Sequence, residues 1–100
     1  METLQDTLRA AMLGYTGRGL NAESVLTTSA DGRLLTVVSI GQVRGESVVD
    51  TGLIVRLMGD SIVIDRDNNN KPLVDALVQA GIPREQIVLA YAGETIPHAA

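Results

Sequence analysis

The stretch from Asp67 to Leu89 constrains the chain more than any other, because it carries its own start and stop signals. Asn68-Asn69-Asn70 stand ahead of its helical residues, and Asn side chains suit a helix N-cap, where they accept an orphan backbone N–H. Pro72 fits a first helical turn, in which its missing N–H costs nothing. Leu73, Val74, Leu77 and Val78 then fall on one helical face. Gly81 stands where a left-handed C′ residue is wanted, Ile82 at C″ can pack back on Leu77 at C3, and Pro83 forbids continuation. The spacing predicts one short helix with a sharp stop. A buried apolar segment, Ile87-Val88-Leu89, follows it.

Upstream, Leu4, Leu8, Met12 and Tyr15 form one helical stripe over residues 2–15, with Glu2 and Asp6 in the first turns where the dipole favours acids. Gly14, Gly17 and Gly19 end that pattern, so residues 16–22 read as a loop. They follow a helix, whereas a dinucleotide fingerprint follows a strand. Strands are expected at 23–29, 33–40, 47–58 and 61–67. They are joined by a type I′ hairpin at Asp31-Gly32, a longer turn over 41–45 and a II′ turn at Gly59-Asp60. In the third strand, Val49, Thr51, Leu53, Val55 and Leu57 alternate with Asp50 and Arg56, and Gly52 suggests a bulge. In the fourth, Val63 and Asp65 oppose Ile62, Ile64 and Arg66.

The expected fold class is therefore α+β: an N-terminal helix, a four-stranded antiparallel meander, then a C-terminal helix and a short apolar extended segment, with residues 1–100 as a single domain. Both helices would cover one sheet face. The other face would keep Ile54, Met58, Ile62 and Ile64, which implies self-association, a homodimer being the simplest cover.

The segment Leu77, Val78, Ala80, Gly81, Ile82, Pro83, Arg84, Glu85, Gln86, Ile87, Val88, Leu89 resembles, without a gap, the ending of the XisI-like proteins, factors controlling excision of a bacterial DNA element. The order of elements upstream is also similar. At the last hairpin the family usually reads Asp-Gly-Lys-Ile-Trp, where this chain has Gly59-Asp60-Ser61-Ile62-Val63. The resemblance implies an XisI-like fold with Leu77, Val78, Gly81, Ile82, Pro83, Ile87, Val88 and Leu89 as its structural motif. It also implies a role in DNA element excision through an XisH-like partner, itself nuclease-like.

Composition narrows the functional classes. Hydrophobic residues make up 45% of the chain against 20% charged, which marks a globular chain. The only aromatics are two tyrosines, too few for a base-stacking platform or an aromatic cage. The absence of cysteine excludes disulfides, thiolate metal sites and a cysteine nucleophile, and fits a cytoplasmic location. The N-terminal residues do not resemble a signal peptide, and no apolar run reaches the ~20 residues of a membrane-spanning helix. Net charge is −4, and the seven arginines are scattered singly with Lys71 the one lysine. Direct duplex binding is not expected, since phosphate neutralisation supplies most of that affinity.

The densest polar cluster is Asp65, Arg66 and Asp67 with Asn68, Asn69 and Asn70. Such a cluster at a strand end and helix N-terminus can hold a metal or a phosphate. An Asn-capped strand-to-helix connection explains the same residue types, and the cluster is taken as a capping or interaction site with no metal and no cofactor. An EF-hand loop is excluded because the Gly and the terminal Glu are missing at the required offsets. His98, the only histidine, stands beside Pro97 near the C-terminus without an orienting partner, and no serine sits in a nucleophile elbow. No catalytic residue is assigned. The expected function is a non-enzymatic accessory factor acting through a protein partner. The alternative is a small-molecule or ion-responsive regulatory domain with a pocket near Asp67–Asn70.

Overall fold

The computed structural model describes residues 3–97. Helix α1 (Leu4–Leu13) and strands β1 (Gly17–Arg18), β2 (Ala22–Thr28), β3 (Leu34–Val43), β4 (Glu46–Met58) and β5 (Ser61–Asp67) come first. Helix α2 (Leu73–Gln79) and strand β6 (Ile87–Leu89) follow, with single 3-10 turns on either side of β6. The strands form one sheet in chain order. All neighbours are antiparallel except β5 and β6, which run parallel.

The sheet is mixed and six-stranded, so the expected four-stranded antiparallel meander was only its centre. Two short strands were missed. The apolar segment Ile87–Leu89 joins the sheet edge beside β5 because α2 carries the chain back over the sheet, the crossover that a parallel pair requires. Gly17–Arg18, read as loop, pairs with Ser24 and Glu23. Two residues make too short a strand to show any periodicity.

Helix α1 begins with a capping box: Thr3 Oγ1 accepts from Asp6 N at 3.1 Å, and Asp6 Oδ2 accepts from Thr3 N at 3.2 Å. Leu8 and Met12 are its fully buried residues, and Leu4, Ala11 and Tyr15 pack beside them. Helix α2 ends in a Schellman motif. Ile82 N donates to Leu77 O and Gly81 N to Val78 O, at 3.1 and 3.0 Å, with Gly81 at φ +99°. Leu77 and Ile82 are both buried, as the spacing predicted.

Both helices lie on one sheet face. The core joins Leu8, Met12, Leu73 and Leu77 to Leu35, Val37, Leu53, Val55, Ile62, Ile64 and Ile87. Two bulges reset the strand faces. β4 pairs Leu53 with Val37 but Thr51 with Val38, leaving Gly52 extra. Asp65 is the extra residue of β5, between Ile64 opposite Val55 and Arg66 opposite Ile54. The single face expected for Val49, Thr51, Leu53, Val55 and Leu57 is therefore split at Gly52: Leu53 and Val55 are buried while Val49 is 64% exposed.

The hairpins differ from expectation in a complementary way. The two-residue I′ turn is Arg44-Gly45, with φ of +54° and +81°, so β3 runs on to Val43. At Asp31-Gly32 only Gly32 has positive φ. Ser29 to Gly32 make the turn, with Gly32 N donating to Ser29 O. A Cβ on Gly32 would collide with Gln5 Nε2, which donates to Gly32 O and ties α1 to this turn. Gly59 has positive φ beside Asp60, as a II′ turn requires.

The proposed self-association face is corrected as well. The turn at Gly59-Asp60 pairs Met58 with Ser61 and therefore Leu57 with Ile62 and Val55 with Ile64. Ile62 and Ile64 thus point to the helices and are fully buried, whereas Ile54 and Met58 lie on the opposite face and are half-buried. That opposite face also carries the Arg56–Asp65 ion pair and a hydroxyl pair, Thr27 with Thr36. Polar groups interrupt it, so it does not present the apolar surface expected of it.

Candidate functional site

Asp67 closes β5 opposite buried Leu53, on the side of the sheet that faces the helices. This places its carboxylate beneath the start of α2. Oδ2 accepts from Leu73 N at 2.7 Å, and Oδ1 accepts from Asn69 N at 3.1 Å and Asn69 Nδ2 at 2.8 Å. The helix is therefore capped by an aspartate six residues upstream. The residue at the cap position is Pro72, which has no side-chain donor or acceptor for the task. The asparagines expected to cap do not do so: Asn69 braces the Asp67 carboxylate, and Asn68 and Asn70 are exposed. An anion at this helix start would compete with the chain's own carboxylate.

Asp65 is engaged too. Its two oxygens accept from Arg56 Nε at 2.6 Å and Nη2 at 2.9 Å, a bidentate pair across the hairpin that holds the Arg56 guanidinium charged, its pKa raised by the hydrogen bond to Asp65. Arg66 is exposed, opposite Ile54 on the other face. The cluster is thus divided: Asp65 and Arg66 lie on the sheet face away from the helices, Asp67 on the face toward them, and Asn68, Asn69 and Asn70 in the loop beyond β5. Among the described residues no group of three His, Cys, Asp or Glu is gathered where it could hold a metal.

Beside the cluster, Tyr15 donates its hydroxyl to Lys71 O at 2.7 Å, pinning the end of α1 to the loop before α2. Burial raises the Tyr15 pKa, and the nearby Asp67 and Asp75 charges raise it further. An open cleft of about 290 Å³ lies here, lined by Ala11, Gly14, Tyr15, Asn69, Lys71 and Ala76. The Tyr15 hydroxyl and the Asn69 amide are both spent on the protein itself, which leaves the cleft few convergent polar groups with which to recognise a ligand.

A second polar cluster was not foreseen. Arg84 and Glu94 form an ion pair at 2.7 Å. Arg84 Nη1 also donates to Ile87 O at 2.6 Å, and Glu94 Oε1 accepts from Leu89 N at 2.9 Å. These bonds hold Glu94 below the usual glutamate range, the Leu89 N–H first and Arg84 second. The two side chains grip the outer main chain of β6. Ten residues of separation gave no local signal for this pairing, which depends on where the turn after Leu89 returns the chain. His98 lies outside the described residues.

The comparisons with known proteins agree with this architecture. The family model described as XisI protein matches residues 3–99. The chain belongs to the XisI family. Its fold is shared with a crystal structure of an XisI-like protein from Anabaena variabilis ATCC 29413, at 16% identity and a TM-score of 0.67, covering 86% of this chain and 78% of that one. A second crystal structure, the fdxN element excision controlling factor XisI from the same organism, matches at 19% identity and a TM-score of 0.67 over 87% of this chain and 88% of that one. No curated protein matched. The residues that carry the resemblance have structural duties in this fold: Leu77 and Ile82 close the Schellman motif, Gly81 supplies its left-handed residue, and Ile87, Val88 and Leu89 form the parallel strand. Val78 is exposed on α2, and Pro83 precedes the 3-10 turn that leads into β6. Among the described residues no helix is long and apolar enough to cross a membrane.

Proposed function

We propose that this XisI-family chain is a non-enzymatic accessory factor in excision of a DNA element, acting through a nuclease-like protein partner of the XisH type. The observation that supports this reading is the family match over residues 3–99, together with a fold shared with a protein known as an excision controlling factor. Charge favours contact through a protein. A net charge of −4 repels phosphate, and it complements a basic, DNA-facing surface on a partner.

Asp65 and Asp67 are committed to Arg56 and to the α2 cap, so they are not the carboxylates that steer a partner. Asp60 and Glu85 fit that role. Both are exposed and outside the ion pairs among the described residues, and the Gln86 side chain, which donates to Asp60 O, brings them to the same end of the molecule. The test is capture of an XisH-type protein on a biosensor across a salt series, with duplex DNA as the competing analyte. The on-rate for the protein partner should fall as salt rises, because exposed charges are screened beyond a Debye length of ~8 Å at physiological ionic strength. Asp60→Asn with Glu85→Gln should slow association more than it speeds dissociation. Tight duplex binding with a steep salt slope, and no affinity for the partner, would overturn the reading.

A further inference from the structure

The outer edges of β6, β2 and β4 differ in how far other parts of the chain cover them. The outer side of β6 is gripped by Arg84 at Ile87 O and by Glu94 at Leu89 N. The outer side of β2 pairs with β1 only at Glu23 and Ser24, and near its other end Arg9 of α1 donates to the Thr28 side-chain hydroxyl, not to main chain. The third is β4. Its outer neighbour β5 pairs only with Leu53–Met58, and Asn68 N reaches Gly52 O just beyond. From Glu46 to Thr51, β4 pairs with β3 alone.

Main-chain direction alternates along a strand, and the pair Val43–Glu46 closes the two-residue turn. Glu46, Val48 and Asp50 therefore bond inward to β3, while Ser47, Val49 and Thr51 direct their N–H and C=O groups outward. Among the described residues, no hydrogen bond outside the strand ladder takes up those outward groups. The guards of this edge are limited to two acids, Glu46 and Asp50: it contains no lysine, no proline and no bulge between Glu46 and Thr51. It is apolar as well, with Val48 45% and Val49 64% exposed and Ile40, opposite Val49 on β3, 49% exposed.

We propose that this free β4 edge pairs antiparallel with the same edge of a second copy of the chain, about a two-fold axis through Val49, so that two sheets become one. Charge selects this register. Pairing Val48 with Val48 of the second copy sets Glu46 opposite Asp50, and centring the axis on Asp50 sets acid against acid directly, an arrangement that destabilises a sheet. Pairing Val49 with Val49 of the second copy puts Ser47 opposite Thr51 and Val48 opposite Asp50, with no two acids face to face. It is also the register in which the outward-directed residues exchange hydrogen bonds with one another. Ile40, Val49, Val49 of the second copy and Ile40 of the second copy then form one apolar row across the joined sheet. A two-fold axis is the symmetry that a self-complementary edge produces, and strand addition is an established mode of recognition. The inference is independent of the XisH-type partner.

Three proteins test it: the unaltered chain, Val49→Lys and Val49→Cys. By multi-angle light scattering at tens of micromolar the unaltered chain should have twice the chain mass. Val49→Lys puts two ammonium groups on the axis, and should raise the dimer dissociation constant by at least ~10-fold, the factor that ~1.4 kcal/mol corresponds to. Its far-UV circular dichroism should be unchanged, since Val49 is exposed and its N–H has no partner among the described residues. Val49→Cys gives the only cysteine in the chain. A hydrogen-bonded antiparallel pair holds Cα atoms ~5.5 Å apart, within disulfide reach. A mild oxidant should therefore convert it to a covalent dimer on a non-reducing gel. A monomeric unaltered chain at that concentration would overturn the proposal, as would a folded Val49→Lys that stays dimeric or a Val49→Cys that does not cross-link. If Val49→Lys fails to fold, cross-linking of Val49→Cys decides.

Discussion

At the scale of single residues, two positions show how conformation and hydrogen bonding divide the work. Gly81 has open space around its absent Cβ, so its constraint is the backbone alone, φ +99°. Gly81→Val should destabilise by about 1–3 kcal/mol, the usual size of such strain, read as a lower urea midpoint. An unchanged midpoint would mean that the Schellman cap does not hold α2. Asp67 is constrained by partners, since both of its oxygens accept from backbone or amide N–H groups. Asp67→Ala should cost about 0.5–2 kcal/mol, as loss of a helix cap does. Asp67→Asn retains one acceptor oxygen and should fall between the two. Equal stability of all three in urea would show that the cap is idle. Asn and Asp are equivalent in many turns, but here the second oxygen has its own donor, so the exchange costs stability.

At the scale of elements, the parallel strand β6 is held on both sides: by β5 along one edge and by the Arg84–Glu94 clasp along the other. The folded state lowers the pKa of Glu94, so this carboxylate adds stability at pH values above the ordinary glutamate range. That contribution is lost as pH falls through the lowered folded value. Glu94→Gln should therefore be less stable than the unaltered chain near neutrality, and the gap should close on acidification. Thermal melts of the two proteins over a pH series measure this directly. A gap independent of pH would assign the loss to packing and not to charge. The effect is small because the pair is exposed to water and salt.

At the scale of the whole molecule, the arrangement is lopsided. The helices cover only part of the sheet, and the β3–β4 hairpin runs beyond them, with every residue from Gln42 to Asp50 exposed. The radius of gyration, 14.1 Å, exceeds the ~13 Å of a compact chain of this size, and the extents of 46 × 31 × 27 Å place the excess along one axis. The core is confined to the other end. Ile64→Ala should cost about 2–5 kcal/mol, as expected of a fully buried isoleucine. Ile54→Ala, on the half-buried face, should cost clearly less. Equal losses in chemical denaturation would contradict the assignment of Ile62 and Ile64 to the core.

Much of this was legible in the chain itself. The helix over Leu73–Gln79 with its Gly81-Ile82-Pro83 stop, the strand Ser61–Asp67, the Gly52 bulge and the Leu8–Met12 stripe all rest on local rules of capping, periodicity and glycine conformation. The XisI resemblance rested on the same punctuated segment. The face of Ile62 and Ile64 was also encoded: a two-residue turn at Gly59-Asp60 fixes Leu57 opposite Ile62, and strand parity has to be carried through that pairing. The rest was decided by position in space. Asp67 became the helix cap because the end of β5 lies under the start of α2. Arg84 met Glu94 because the chain turns back after β6, and Ile87–Leu89 became a parallel strand because a helix crossed the sheet first. Sequence fixes what each segment can do alone, within one turn of helix or one step of strand. Hydrogen bonds between residues far apart along the chain form only once packing has brought them together, and no local pattern records which partner arrives.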